Sequence, residues 1–149
     1  MRLAADASGL VAESLRFRGE WLIGHTDLTL YVAVPTWSEV EHEVGTRIDA
    51  LVRHGRLVSA RREQVLSERL ALLTRKVSIV TEAEYGEHEA EARDRIPRDP
   101  NDWPMVALAL SLGIGIWTND HDFFGCGVPV WTTETLLTHL ASGRAALDR

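Results

Sequence analysis

Asp6, Glu39, Asp102 and Asp120 each stand beside a short apolar run, and Asp122 lies two residues beyond the last of them. Carboxylates gathered at one place repel one another unless a cation sits between them. An all-oxygen ligand set selects a hard cation, Mg²⁺ or Mn²⁺, over zinc. Such an ion acidifies a water and clamps a phosphodiester. Where two ions act together they sit roughly 3.5–4 Å apart and stabilise the attacking and leaving oxygens. The chemistry that follows is metal-assisted hydrolysis of a phosphodiester with water as nucleophile. The six histidines are scattered with no HExxH or paired spacing, which argues against zinc. No GxGxxG or GKT/GKS loop occurs, so neither a dinucleotide nor a nucleoside triphosphate is indicated.

Whether these acids meet depends on the elements that carry them. Residues 98–125, RDPNDWPMVALALSLGIGIWTNDHDFFG, place Asp99, Asp102, Asp120 and Asp122 around an apolar centre, with Asp99 reading as a turn or cap residue. Asn101 is the expected N-cap of a helix, and Pro104 falls in its first turn, where a missing N–H breaks no intrahelical bond. Residues 105–112 are apolar on nearly every face, which predicts a helix buried on more than one side, with Gly113 as a left-handed cap. Residues 114–117 read as a short buried strand. A helix that feeds a parallel strand starts at the edge where the strands end, so Asp102 and Asp120 are expected together there. Ligands of open α/β sheets bind at that edge.

The rest of the chain sends further acids the same way. Residues 2–5 predict a first strand with Asp6 at its end, followed by a helix capped by Ser8, with Leu10, Val11, Ser14 and Leu15 inward. Residues 20–27 read as a short helix or loop, and residues 28–34 as a second strand. Pro35-Thr36 opens a long helix closed by His54-Gly55, with Val40, Val44, Ile48, Leu51 and Val52 at helical spacing. Glu39 lies in its first turn, while Glu41 and Glu43 read as solvated charges on its face. A third helix over 59–73 carries Arg61, Arg62 and Arg69, with Arg75 just beyond, on a face either solvated or available to guide phosphates. A third strand at 77–80 precedes a polar helix over 81–96, with Ala83, Tyr85, His88, Ala92 and Ile96 inward. A fifth strand at 128–131 leads into a last helix capped by Thr132 or Thr133. Strands alternating with helices imply a three-layer α/β/α sandwich with a mostly parallel sheet of about five strands, in a single domain spanning 1–149.

Composition agrees with a folded domain: 45% hydrophobic and 26% charged residues argue against disorder. A net charge of −6 argues against an overall basic nucleic-acid binder, although acids gathered in a metal site leave room for a local basic face. The single cysteine, Cys126, excludes an internal disulfide and suits a reducing cytoplasm. No apolar run reaches the length of a membrane span, and the N-terminus lacks a signal-peptide core.

Four motifs carry a family resemblance. Asp6-Ala7-Ser8, Ser38-Glu39-Val40, the DWPMVALALSLG run beginning at Asp102, and TNDHDFFG beginning at Thr118 resemble the acidic motifs of PIN domains. They occur in the family's order over nearly the whole chain, and TNDHDF matches its T-x-D-x-D-F pattern closely. PIN domains are metal-dependent ribonucleases, and many small stand-alone members are VapC-type toxins of bacterial toxin–antitoxin pairs. The resemblance implies a Rossmann-like fold, Mg²⁺ or Mn²⁺, an RNA substrate, and an antitoxin protein as partner. On this reading Asp6, Asp102 and Asp120 are metal ligands, directly or through water. Glu39 holds a second ion or orients the attacking water, with Glu43 and Asp122 as further candidate acids, Asp122 reading equally as a cap of the Phe123-Phe124-Gly125 turn. Ser8 hydrogen-bonds a ligand carboxylate, and Thr118 and Asn119 shape the turn that presents Asp120. Trp37 and Trp103, beside proposed ligands, are either packing residues or platforms for a base. The 10–21 segment is a candidate face for a partner helix or for a homodimer. Two other readings use the same residues: a non-catalytic PIN-like module that holds nucleic acid or protein, and a DNA-directed nuclease or phosphatase.

Overall fold

Five short apolar segments become a single parallel sheet in the computed structural model, which describes residues 1–147. The strands are β1 (Arg2–Ala5), β2 (Thr29–Ala33), β3 (Val77–Val80), β4 (Gly115–Trp117) and β5 (Val130–Trp131), in the order β3-β2-β1-β4-β5. Every neighbouring pair is parallel, with Leu3 opposite Leu30 on one side and Ala5 opposite Trp117 on the other. The chain runs outward from β1 to β3, then returns to place β4 on the other flank of β1. The carboxyl ends of β1 and β4 therefore flank the point where strand order reverses, the usual crevice of such sheets.

Helices cover both faces. On one side α1 (Ala7–Ser14), α2 (Phe17–Ile23), α3 (Val34–Arg53), α4 (Arg62–Lys76) and α8 (Thr133–Leu147) enclose a core that includes Leu10, Val32, Val44, Leu73, Trp117 and Leu136. On the other, α5 (Glu82–Tyr85), α6 (Glu89–Arg95) and α7 (Trp103–Leu112) pack with Ala4, Ile116 and Phe123. The expected three-layer sandwich is present. As its composition predicted, α7 is buried from Met105 to Ala109, and Gly113 ends it in the left-handed region at φ 62°.

Local differences from the sequence reading have physical causes. Asp6, not Ser8, occupies the N-cap of α1, and the Ser8 hydroxyl donates to Asp6 instead. The second helix begins at Phe17, earlier than expected, because Arg16 and Arg18 turn back onto the buried Glu13. The third helix is preceded by a 3-10 turn at Ser59–Arg61 and runs on to Lys76. The polar helix expected over 81–96 is broken into α5, a 3-10 turn at Gly86–His88, and α6. Ser111 donates to the carbonyl of Glu84 at 2.6 Å, which takes that carbonyl out of the helical ladder, and Gly86 is the weak helix former at the break. Ala83 is consequently exposed rather than inward, while Tyr85, Ala92 and Ile96 are buried.

Candidate functional site

β1 ends directly in Asp6, whose amide donates to the Trp117 carbonyl at 3.0 Å, so the ends of β1 and β4 are tied together. Two hydroxyls fix the Asp6 side chain: Ser8 Oγ at 2.7 Å and Thr118 Oγ1 at 3.0 Å, both donating to Oδ2. Thr118, fully buried after β4, also accepts the Asp120 amide at 3.0 Å. One threonine thus couples the two acids, the arrangement by which supporting hydrogen bonds orient ligands.

Glu39 reaches the same edge because β2 runs straight into α3; the helix already begins at Val34, so Pro35 is in the first turn as expected but Glu39 is in the second turn rather than the first. Asp102 arrives from the opposite face. The Asp99 carboxylate accepts the Asn101 amide at 3.1 Å and forms a 3-10 turn over Pro100–Asp102, which delivers Asp102 to the N-cap position of α7. Asp99, rather than Asn101, is therefore the side-chain cap, and the Asp102 carboxylate makes no capping bond. Asp6, Glu39 and Asp102, with Pro35, Thr36, Asn101, Pro104 and Met105, line one cleft of about 120 Å³.

The electrostatics of this cleft are lopsided. Burial, then the charges of Asp99, Asp6, Asp120 and Glu39, pushes the Asp102 carboxyl up to about 6. Glu39 is also raised, first by burial, then by the charges of Glu43 and Asp6 and by a hydrogen bond shared with Glu43. Glu43 is half-buried and pairs with Arg47 at 3.6 Å. Asp120 lies outside the residues that line the cleft but close enough for its charge to act on Asp102.

Other sequence-predicted residues have different surroundings. Asp120 caps its own turn, accepting the Asp122 amide at 2.9 Å, so the cap lies with Asp120 and not with Asp122. Asp122 instead faces Arg98, with 3.4 Å between Nη1 and Oδ1. Asn119 exchanges hydrogen bonds with Thr133 (3.0 and 2.9 Å) and so ties the turn after β4 to the start of α8. Trp103 is 8% exposed and packed against Tyr85, which excludes it as a base platform in this conformation. On α4, Arg62 pairs with Asp49 and Glu63, and Arg69 with Glu20, so these two arginines tie helices together. In the 10–21 segment Leu10 and Val11 are core, whereas Phe17 is 93% exposed.

The donor set is oxygen only, which fits a hard divalent cation. Among the described residues no three Asp, Glu, His or Cys side chains already stand in a ligand arrangement. The acids share an edge and a field, with side chains directed by Ser8, Thr118 and one another. Arg98 was not singled out by its type. Its place in the turn before Asp102 is the signal that could have marked it, since that turn must cross the same edge.

Residues 5–141 match the PIN domain family. No curated protein matches the chain. Among solved structures, PAE2754 from Pyrobaculum aerophilum is similar with a TM-score of 0.63 and 23% identity, over 95% of this chain and 90% of that one. VapBC2 from Rickettsia felis, solved bound to a DNA fragment from their promoter, is similar with a TM-score of 0.60 and 14% identity, over 89% and 98% of the two chains. At these identities the two structures support the fold.

Proposed function

Because the chain belongs to the PIN domain family, whose members are generally nucleases, we propose that it is a Mg²⁺- or Mn²⁺-dependent endoribonuclease acting in the cytoplasm as the toxin of a toxin–antitoxin pair. The observation that carries the reading is the convergence of Asp6, Glu39 and Asp102 on one cleft with Asp120 beside it. Burial, reinforced by the charges of its acidic neighbours, holds the Asp102 carboxyl at about 6. A site that accumulates negative charge without an internal counter-ion is suited to take its cation from solution.

Asp6, Asp102 and Asp120 hold the ion in this reading. When bound, the ion supplies Lewis acidity, acidifying water and drawing charge from the phosphodiester oxygens. Glu39, with its raised affinity for a proton, orients the attacking water and accepts the proton it loses. Glu43 backs Glu39 through their shared hydrogen bond. Ser8 and Thr118 keep Asp6 in one orientation, and Thr118 and Asn119 fix the turn that presents Asp120. Asp122, already facing Arg98, is assigned outside the ligand set. Phe17 and Trp21 at the α1–α2 corner are the exposed apolar residues of the 10–21 segment and the proposed face for an antitoxin. The fold likeness to VapBC2 supports such a partner.

Incubation of the purified protein with single-stranded RNA in Mg²⁺ and in EDTA tests the reading. Cleavage is expected in Mg²⁺ alone. Asp102→Asn should lower it on the order of 100-fold or more while leaving the circular dichroism spectrum unchanged. Equal cleavage by the variant would show that Asp102 is not a ligand.

A further inference from the structure

The turn after Asp120 is built firmly and yet holds an aromatic side chain in water. Phe123 and Cys126 are each 2% exposed and anchor the turn in the core from both sides of Phe124. The Phe124 amide donates to the His121 carbonyl at 3.0 Å, and the Cys126 amide to that of Phe123 at 3.2 Å. Arg95 holds the Cys126 carbonyl at 2.9 Å. It passes so close to Gly127 that a Cβ there would meet the guanidinium at 2.4 Å. Between these anchors Phe124 stays 48% exposed, its ring stacked on His121 at 4.9 Å and 20°. Burial of one more ring would be the ordinary outcome for a phenylalanine. Here the backbone of a well-anchored turn points it outward beside the acidic edge.

A cation contacts Asp122, the residue that follows His121 of this aromatic pair. The Arg98 side chain is 73% exposed and touches Asp122 through a single 3.4 Å contact, so most of its guanidinium donors remain free. Asp122 lies between His121 and Phe123 in the chain and donates its amide to Asp120. Asp122 therefore links the guanidinium to the turn that carries both the aromatic pair and Asp120. Stacking faces beside a positive group are what single-stranded nucleic acid needs, because an unpaired base offers a π-face and its backbone offers a phosphate. A duplex, with its bases already stacked, offers no such face.

We propose that the Phe124–His121 stack and Arg98 form a subsite for one unpaired nucleotide of a single-stranded RNA, with the base lying on Phe124 and the adjoining phosphate held by Arg98. The subsite rests on the ribonuclease reading above and makes that nuclease selective for single strands. Phe124 and Arg98 contribute binding and register, not bond cleavage. Asp122 keeps Arg98 at this turn when no strand is bound.

Single-stranded RNA oligonucleotides carrying 2-aminopurine at successive positions, and the matching duplex, provide the test. Binding is read by anisotropy and stacking by 2-aminopurine fluorescence, with cleavage in Mg²⁺ followed in parallel. One 2-aminopurine position should change its emission on binding. Phe124→Ala should abolish that change and weaken single-strand affinity about tenfold, and Phe124→Trp should restore both. Arg98→Ala should raise KM and flatten the salt dependence of binding while leaving kcat within a few-fold. Val58→Ala, which removes an apolar side chain 68% exposed and assigned no role, is the control and should change nothing. If Phe124→Ala leaves binding, fluorescence and KM unaltered, or the duplex is bound and cut as well as the single strand, the subsite is overturned and the nuclease reading survives. Binding and stacking without cleavage would leave the subsite standing and sink the nuclease reading. No binding at low salt overturns the subsite outright.

Discussion

At the corner between α1 and α2, Glu13 is 2% exposed and its carboxylate receives Arg16 at 2.8 Å and two bonds from Arg18 at 3.1 Å. At the carboxyl edge of the sheet, Asp102 is also drawn out of water, but its neighbours are Asp99, Asp6, Asp120 and Glu39. Among the described residues no arginine or lysine reaches the Asp102 carboxylate. The chain supplies an internal counter-ion where an acid shapes the backbone and withholds one where several acids meet. Glu13 holds a corner so tight that a Cβ on Gly19 would lie 1.7 Å from the Glu13 carbonyl. Charge that is closed at one place and left open at the other separates a structural acid from the acids to which the proposed function assigns a cation.

Breaking the closed side should have the largest effect on stability. Glu13→Ala empties a buried position, although Arg16 and Arg18, each 55% exposed, can return to water. The cost is therefore expected below that of a fully buried pair, about 2 kcal/mol, with a melting temperature lower by about 4–8 °C. Thermal unfolding measures it. RNA cleavage per folded molecule should stay at the parent level. A variant as stable as the parent would remove the contrast between the two sites.

Breaking the open side should act in the opposite direction and depend on pH. The Asp102 carboxyl lies near 6 in the folded protein against an ordinary value of 3.8. Below about pH 4 it keeps its proton in both folded and unfolded chains, and the metal-free protein carries no penalty. As pH rises through 6 the folded protein must lose that proton against its neighbours' charge, so this contribution to stability is lost across that window. Asp102→Asn should match the parent at pH 4 and exceed it by about 1 kcal/mol at pH 7, the shift being discounted because solvent reaches the cleft. Urea unfolding in EDTA at the two pH values checks this. A variant less stable than the parent at pH 7 would mean that Asp102 has a structural partner.

The sequence reading of the two regions differed in reach, and the reason is periodicity. Short apolar runs at 2–5 and 114–117 and the longer one at 105–112 located β1, β4 and α7 to within a residue or two, and with them the edge shared by Asp6, Glu39 and Asp102. Polar segments gave weaker signals. The break at Gly86 depends on Ser111, 25 positions beyond it in the chain, donating to Glu84, a contact that local pattern does not encode. The role of Glu13 was hidden for a similar reason: a glutamate on an amphipathic helix reads as solvated until the following turn is known to return two arginines to it. At the site itself, residue type marked the acids. Asp99 caps the turn before α7, in keeping with its reading as a turn or cap residue, whereas the contact of Asp122 with Arg98 depended on three-dimensional neighbours. An exposed Phe124 beside a buried Phe123 could be told apart only once the turn had a direction.

Calorimetric titration of Mn²⁺ into the metal-free protein at pH 7, beside Asp102→Asn, tests most directly whether the open edge takes its counter-ion from solution. The account predicts saturable binding by the parent with release of protons, since a carboxyl near 6 must give up its residual proton to the ion, and binding weakened at least tenfold in the variant. No heat of binding to the parent at millimolar Mn²⁺, or equal binding by both proteins, would contradict it.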